Sequence, residues 1–214
     1  MHALKENTET KLTQAERTEI SDQKMFDATI QLVVENGPTG TSLKDVGVLA
    51  GYSRGLASHR FGSKDKLFSF TLRRLGELWL EQLKSATGNS VGLYAVENAL
   101  DQHYEFCASA PDYVRTFYSL WFESVNANSE LAKSIKNIHQ RRHQDMVDWI
   151  NSDPTIKQEV KEDADTIAGQ FSASVVGIIY FWLTNPNDLL ETKKLHDGLK
   201  KTMTQLLIRT TTLR

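Results

Sequence analysis

The sequence predicts an all-α protein, with an N-terminal three-helix helix-turn-helix domain followed by a larger helical domain, about nine helices in total. Apolar residues recur at spacings of three and four through most of the chain, as on the buried face of a helix. No segment alternates apolar and polar residues in the way of a half-buried strand. Glycine, proline and hydroxyl residues interrupt the periodic stretches where helices end and begin.

The first predicted helix follows a polar, aperiodic stretch. Residues 1–13 lack apolar periodicity and are assigned to a disordered tail. Phe26, Ile30 and Val33 then recur at helical spacing. The run Asn36-Gly37-Pro38 combines the glycine and proline signals that end a helix.

Two short helices are predicted next, separated by a glycine turn. The segment from Thr41 to Asp45 places a hydroxyl at a helix start and an acid three residues later, a capping box that opens a helix reaching Ala50. Gly51-Tyr52-Ser53 supplies a break and a new N-cap. Leu56 and Phe61 form the inward face of the helix that follows.

The remaining chain is predicted to be helical throughout. Gly62-Ser63 opens a long fourth helix from Lys64 to about Lys84. Asn151 to Pro154 form a clear boundary between later helices. Apolar stripes predict five further helices, over Val96–Cys107, Val114–Val125, Leu131–Ile150, Val160–Trp182 and Leu195–Leu207.

Charge is distributed unevenly along the chain. Between Pro38 and Leu75, seven basic residues face two acidic ones, whereas 14 basic and 18 acidic residues follow from Gly76 onward. A basic segment on an acidic body suits a protein that meets phosphate with one end only. We therefore expect a tail over 1–13, a DNA-binding domain over 14–75 and a ligand-binding and dimerisation domain over 76–214.

Composition indicates a cytoplasmic protein without a membrane partner. Hydrophobic residues at 40% and charged residues at 24% are close to globular averages. Cys107 is the single cysteine, so no internal disulfide forms, and we find no signal sequence at the start. The longest apolar run, Val175 to Leu183, falls short of the roughly 20 residues that a membrane helix requires.

The second and third helices have the dimensions of a helix-turn-helix, which places the start of its second helix in a DNA major groove. The guanidinium of Arg54 can read guanine O6 and N7, and Gly55 allows close backbone approach. Helix starts attract phosphate through free N–H groups. The predicted DNA-contacting residues are Thr41, Ser42, Ser53, Arg54, Gly55, Ser58, His59 and Lys64.

This segment closely resembles the DNA-binding domain of tetracycline-repressor-like (TetR) regulators. The resemblance is carried by three runs, Thr41-Ser42-Leu43 through Val46, Ala50 to Gly55, and His59 to Leu67. It implies a homodimer on a near-palindromic operator, usually a repressor, which a small ligand in the C-terminal domain releases from DNA. Family members usually carry a leucine and a phosphate-contacting tyrosine where this chain has Ala57 and Ser58.

Aromatic and polar-tipped side chains of the later helices are predicted to line a cavity for an unknown small-molecule effector. An aromatic cage for a cationic ligand is one form this cavity can take. Plain core packing is the alternative for each residue. The predicted pocket residues are His103, Phe106, Cys107, Phe117, Tyr118, Trp121, His139 and Phe171.

The last two predicted helices carry more apolar residues than one buried stripe needs. Part of that surface is therefore expected to meet a second copy of the chain. The alternative is an unusually buried central helix within a monomer. The predicted interface residues are Val175, Ile178, Ile179, Trp182, Leu199, Met203 and Leu206.

Three alternatives stay open at this point. Gly51 to Gly55 match the G-x-S-x-G string of serine hydrolases, with Ser53 as nucleophile, although no strand pattern precedes it. The pairs His103/Cys107 and His139/His143 each share a helix face, as in a metal-sensing regulator. A DNA-binding protein that needs no ligand is the third. We expect a regulator and not an enzyme, without metal or cofactor.

Overall fold

A computed structural model describes residues 12–126 and 129–208. Its regular elements are all helical, which confirms the predicted all-α class. The described chain divides into two compact units, one up to Ser63 and one from Lys64 onward. Residues 1–11 of the predicted tail lie outside the described residues. Thr13, also assigned to the tail, instead caps the first helix, because its hydroxyl accepts a hydrogen bond from the Glu16 N–H.

The first unit begins with α1 (Gln14–Gly40), which is interrupted near its end. Gly37 has φ 70° and ψ 170°, a left-handed conformation that favours glycine. The regular helix therefore stops at Asn36-Gly37-Pro38, as predicted. Buried apolar residues along the preceding helix are Met25, Phe26, Ala28, Ile30 and Val33.

Two short helices complete the first unit, α2 (Leu43–Leu49) and α3 (Leu56–Phe61). The predicted cap of α2 is confirmed, since the Ser42 hydroxyl accepts from the Asp45 N–H at 3.2 Å. The predicted Ser53 cap of α3 is wrong. Gly55 holds that position without a side-chain hydrogen bond, so Arg54 lies in the turn before α3 rather than inside it.

The second unit, over residues 64–126 and 129–208, contains seven α-helices and one 3₁₀ turn. The predicted helix over Val160–Trp182 is split at Asp163 (φ −93°, ψ 5°), which raises the number of α-helices in the described residues to ten. The helices are α4 (Lys64–Thr87), α5 (Gly92–Ser109), α6 (Pro111–Glu123), α7 (Glu130–Ser152), α8 (Gln158–Glu162), α9 (Ala164–Thr184) and α10 (Leu189–Leu207), with the 3₁₀ turn at Ser124–Asn126.

The unit boundary falls at Ser63 and not at the predicted position after Leu75. The physical reason is that α4 is a continuous helix that packs along α5 and α7. The core of the second unit lies mainly where α5, α7, α9 and α10 meet. Its fully or nearly fully buried members include Val96, Leu100, Met146, Ile150, Ala168, Ile178 and Met203.

Burial within the unit revises the predicted dimer interface. Ile178, Ile179, Trp182, Leu199 and Met203 are all buried in the chain's own core, so they are not free to meet a partner. α9 is nevertheless long and apolar enough, by length and composition alone, to cross a membrane, and a third of its most apolar stretch is buried. The large apolar side chains that α9 and α10 expose are Tyr180, Phe181 and Leu190.

Candidate DNA interface and ligand cavity

Most of the predicted DNA-contacting residues of the first unit lie on its surface. Ser53, Arg54 and Gly55 are exposed in the turn between α2 and α3. Ser58 and His59 are exposed in the first turn of α3. The turn and the start of α3 therefore present a guanidinium, two hydroxyls and an imidazole to solvent.

Thr41 does not belong to this exposed set. Its side chain is buried, and the hydroxyl donates to the Gly37 carbonyl at 2.9 Å. This hydroxyl closes the last turn of α1, and the phosphate contact predicted for Thr41 stays a prediction. Ser42 is half-buried and its hydroxyl donates to the Asp45 carboxylate at 2.5 Å.

Lys64 lies in the second unit as the first residue of α4. It is half-buried, and its ammonium nitrogen lies 5.5 Å from the centre of the Phe68 ring. A cation at a helix N-terminus adds to the positive end of the helix dipole, and together they attract an anion. This arrangement suits the predicted phosphate contact.

Arg60, counted among the basic residues of the DNA-binding segment, has a structural role. Its Nε donates to Asp22 Oδ1 at 2.9 Å and its terminal nitrogen to Asp22 Oδ2 at 2.6 Å. The Asp22 side chain is only 9% exposed, so it is this two-pronged bond that satisfies the carboxylate. The bond ties α3 to α1 and raises the pKa of Arg60.

We expect Arg60→Ala to lower the free energy of unfolding by about 1–2 kcal/mol, because it leaves the Asp22 carboxylate buried without its partner. Solvent screening at the half-exposed Arg60 side chain keeps this effect small. Denaturant unfolding measures the free energy of unfolding of the variant and of the wild type. Arg54→Ala, an exposed arginine in the same unit, is the control and is expected to change stability by less than about 0.5 kcal/mol. Equal stability of the two variants would contradict the structural role of Arg60.

Gly47 is a position of the helix-turn-helix that the sequence pattern does not single out. A Cβ atom there would lie 2.9 Å from the Ser53 carbonyl oxygen and 3.7 Å from Ala57 Cβ. The Gly47 carbonyl in turn accepts from the Tyr52 N–H at 2.9 Å. The turn therefore passes directly over α2 at this residue, and only glycine leaves room for it.

The second unit contains a cavity of about 60 Å³ between α4, α5, α6, α7 and α9. The structure brings five of the predicted pocket residues to it, namely His103, Tyr118, Trp121, His139 and Phe171. Phe106, Cys107 and Phe117 are instead buried in the surrounding core and do not line it, which corrects their assignment. Residues that the sequence did not assign to the cavity include Trp79, Leu83, Arg142, Asp145, Trp149 and Ser172, together with Val175 of the predicted interface.

Arg142 dominates the electrostatics of this cavity. Its guanidinium carbon lies 5.7 Å from the Trp79 ring centre and 5.2 Å from that of Phe117. Trp79, which lines the cavity, and Phe117, which lies in the core beside it, thus already hold a cation from the chain itself. A charged residue on the apolar stripe of α7 is the sequence signal that could have placed Arg142 in the cavity.

Other aromatic rings pack together along one wall of the cavity. Tyr118 and Trp121 stack with ring centres 5.3 Å apart and 12° between their planes. His139 meets Trp121 edge-on at 3.9 Å. Burial, followed by the charge of Arg142, lowers the pKa of His139, whereas burial raises the pKa of Asp145. Both shifts favour the neutral forms.

A second, more open cavity of about 240 Å³ lies between α4 and α7. Trp79 and Arg142 line both cavities and form their common wall. Arg73, Glu77 and Arg141 line the outer one. Movement of the Arg142 side chain would therefore enlarge the inner space toward the size of ordinary ligand sites, on the order of 300 Å³ or more.

The two residue pairs considered for a metal have other partners. His103 bonds His196, and His143 Nε2 lies 2.7 Å from an Asp165 oxygen. Burial raises the pKa of the Cys107 thiol to about 12, which opposes the thiolate that metals bind. Over residues 12–126 and 129–208, the structure groups no three His, Cys, Asp or Glu side chains that could hold a metal ion.

The hydrolase alternative finds no support in the setting of Ser53. A nucleophile elbow joins a strand to a helix within a parallel sheet. Ser53 lies in a turn between two helices, and the described part of the chain contains no strand. Its carbonyl accepts from the Leu56 N–H at 3.1 Å, an ordinary turn contact.

These features define the class of helix-turn-helix proteins with an appended helical domain that encloses a small cavity. The family described as "Bacterial regulatory proteins, tetR family" matches residues 26–69. The chain is 25% identical over 126 residues to the HTH-type transcriptional regulator BetI of Burkholderia thailandensis, and equally identical to BetI of Paraburkholderia phymatum. Over residues 26–69, this chain therefore matches the DNA-binding segment of the TetR family.

The alignment with the Burkholderia thailandensis regulator covers 58% of this chain and 64% of the relative. The chain thus spans a little under two thirds of the length of that curated relative. Solved structures show the same fold over more of the chain. A transcriptional regulator from Rhodococcus covers 89% of it, with a TM-score of 0.76 and 19% identity. A regulator from Saccharomonospora viridis, solved in complex with choline, covers 92% of it, with a TM-score of 0.71 and 15% identity. Both alignments span the full length of the solved chain.

Proposed function

We propose that this chain is a sequence-specific DNA-binding transcriptional regulator, a homodimeric repressor that a small ligand releases from a palindromic operator. The observation that carries this proposal is the exposed Arg54 in the turn before α3, within the segment that matches the family. Unlike Arg60, which is engaged with Asp22, Arg54 is presented to solvent at the end of the unit that a helix-turn-helix places in a major groove.

The DNA-contacting residues divide into one that recognises a base and others that contact neighbouring bases or the phosphate backbone. Arg54 has the paired donors that match guanine O6 and N7. Ser53, Gly55, Ser58 and His59 surround it and act on neighbouring bases or the backbone. Ser42 and Lys64, at the starts of α2 and α4, contact phosphates and set the register. The chain acts by binding and not as an enzyme, in the cytoplasm and without a membrane.

Dimerisation uses the outer surfaces of α9 and α10. Tyr180 and Phe181 are each more than 60% exposed, and Leu190 is 69% exposed. Exposed large apolar side chains on an otherwise apolar helix mark an association surface. The proposed interface therefore replaces the buried residues predicted from the sequence with Tyr180, Phe181 and Leu190, and keeps the half-buried Leu206. A two-fold dimer doubles the base contacts across two half-sites.

The ligand acts on the helix that follows the DNA-binding unit directly in the chain. Trp79 and Leu83 of α4 line the cavity. At its other end α4 is joined to α7, because the Asp65 carboxylate accepts from the Glu130 N–H at 3.0 Å and the Leu131 N–H at 3.4 Å. A ligand that moves α7 therefore also shifts the start of α4. A coupling free energy of about 1–3 kcal/mol would change operator affinity roughly 5- to 150-fold.

The effector is a small organic molecule, and choline is a suitable first probe because a regulator of the same fold binds it. Trp121, Trp149 and Asp145 are groups that stabilise an organic cation, whereas Arg142 opposes one. The cavity holds roughly four to six water-sized groups without rearrangement. If no compound alters both thermal stability and DNA affinity, the chain is a regulator that needs no ligand.

Selection of bound sequences from a random DNA pool tests the proposed function. We expect a near-palindrome whose half-sites are separated by about one helical turn or more, since a two-fold dimer imposes its symmetry on the site. Recovery of no enriched sequence would contradict sequence-specific binding. Enrichment of a single half-site would contradict the dimer alone.

Arg54→Ala is expected to weaken binding of the selected operator by about 1–3 kcal/mol, roughly 5- to 150-fold, and to relax preference at the base that Arg54 reads. Lys64→Ala is the matched comparison. It is expected to weaken all sequences similarly and to reduce the slope of affinity against salt by about one. Fluorescence anisotropy across a salt series measures both. Unchanged operator affinity of the Arg54 variant would exclude it as the reader.

A further inference from the structure

A chain of hydrogen bonds leads from the backbone of α10 into the cavity. His196 Nδ1 lies 2.8 Å from the Thr192 carbonyl oxygen, and His196 Nε2 lies 2.8 Å from His103 Nδ1. The Tyr118 hydroxyl is 3.5 Å from His103 Nε2. Both imidazoles are buried, and His103 lines the cavity whereas His196 lies behind it.

The Thr192 carbonyl, at one end of these hydrogen bonds, determines which nitrogen of each histidine carries the proton. A carbonyl oxygen only accepts, so His196 Nδ1 carries the hydrogen. Burial lowers the pKa of His196. Burial also lowers the pKa of His103 well below its ordinary value, and the nearby His196 and Arg142 lower it further. Both rings are therefore neutral near neutral pH and carry one N–H each. His196 Nε2 then accepts from the Nδ1–H of His103, which leaves His103 Nε2 with a lone pair.

We infer that His103 Nε2 is a hydrogen-bond acceptor reserved for the effector, so that the effector is a small molecule with an O–H or N–H donor. This inference rests on the proposed function of the cavity as an effector site. The Tyr118 hydroxyl lies at the outer limit of hydrogen-bond distance from this nitrogen, so a better-placed donor can replace it. His196 is a positioning residue that selects the tautomer of His103 without touching the ligand.

The charged neighbours are consistent with this polarity. Arg142 lines the same cavity and can only donate, and His139 and Asp145 flank it on α7. The polar groups of the cavity thus include Arg142, a donor that is always charged, and His103, an acceptor with a defined tautomer. A ligand that lacks a donor leaves His103 Nε2 with only the long 3.5 Å contact of the Tyr118 hydroxyl, which is expected to weaken binding of that ligand roughly 10- to 100-fold.

NMR of isotope-labelled histidines in the full-length protein tests the tautomers without any ligand. We expect neutral Nδ1–H forms for both His103 and His196. His196→Gln should preserve the His103 signal, because the amide oxygen replaces Nε2 as acceptor, whereas His196→Leu should release His103 to a mixture of forms. His143→Gln, outside the cavity, is the control. An Nε2–H form of His103 in the wild-type protein would overturn the inference, whether or not the leucine variant folds.

Titration calorimetry with two matched pairs tests the donor requirement. The probes are choline with its O-methyl ether and phenol with anisole. In wild-type protein and His196→Gln, we expect the donor member of a bound pair to bind roughly 10- to 100-fold more tightly, and the ratio to shrink toward one in His196→Leu. Equal affinities within a pair in the wild type would overturn the donor requirement alone. Failure of all four probes to bind would overturn the ligand assignment together with the proposed effector site.

Discussion

Gly47→Ala is expected to disrupt the helix-turn-helix and abolish operator binding. The new methyl carbon would lie 2.9 Å from the Ser53 carbonyl oxygen, and a backbone atom cannot move aside as a flexible side chain can. The turn that carries Arg54 must then shift away from α2. Overpacking of this kind costs about 1–3 kcal/mol, and it moves the residues that are proposed to read DNA.

Thermal unfolding and operator affinity of the purified variant measure this effect together. Gly55→Ala is the matched control within the same unit. Gly55 has an ordinary backbone conformation (φ −90°), and nothing lies within 4 Å of a Cβ built there. The control should keep wild-type stability even if its DNA affinity changes. A Gly47 variant as stable as this control would show that the contact with Ser53 relaxes freely.

Acidification is expected to destabilise the second unit because it buries two histidines in neutral form. Burial lowers the pKa of both His103 and His196 below the ordinary value of 6.5, and His196 is further influenced by Lys193, Asp197 and Lys200. Below the ordinary value the unfolded chain binds protons that the folded chain does not. Stability is therefore complete above about pH 6.5 and decreases as pH falls toward the folded pKa values.

An unfolded histidine is half protonated at pH 6.5 and almost fully protonated at pH 5.5, so the pair can remove at most about 2 kcal/mol between these pH values. Denaturant unfolding across this range measures the loss. The double variant His103→Gln and His196→Gln keeps amides in place of the rings but removes their titration. Its profile should be flatter than that of the wild type. Parallel profiles would show that other groups cause the acid sensitivity.

The helix-turn-helix was predictable because its signals are local. The Ser42 cap and Asp45 are three residues apart, and Asn36-Gly37-Pro38 ends the regular helix within a single turn. Cap and turn chemistry depends on such short distances, so sequence alone indicates it. The exposed Arg54 follows from the same local pattern, although the start of α3 was misplaced because a glycine took the cap position.

Contacts between distant residues were decided by tertiary packing. The Arg60–Asp22 bond joins residues 38 apart, and the His103–His196 bond joins residues 93 apart. Helical periodicity predicts that a face is apolar but not which helix covers it. For this reason Ile178, Ile179 and Trp182 of α9, which the sequence assigns to a dimer interface, are core residues. For the same reason the sequence analysis does not place Arg142 in the cavity. The sequence was enough to indicate a DNA-binding segment, whereas the cavity of the second unit exists only where separate helices meet.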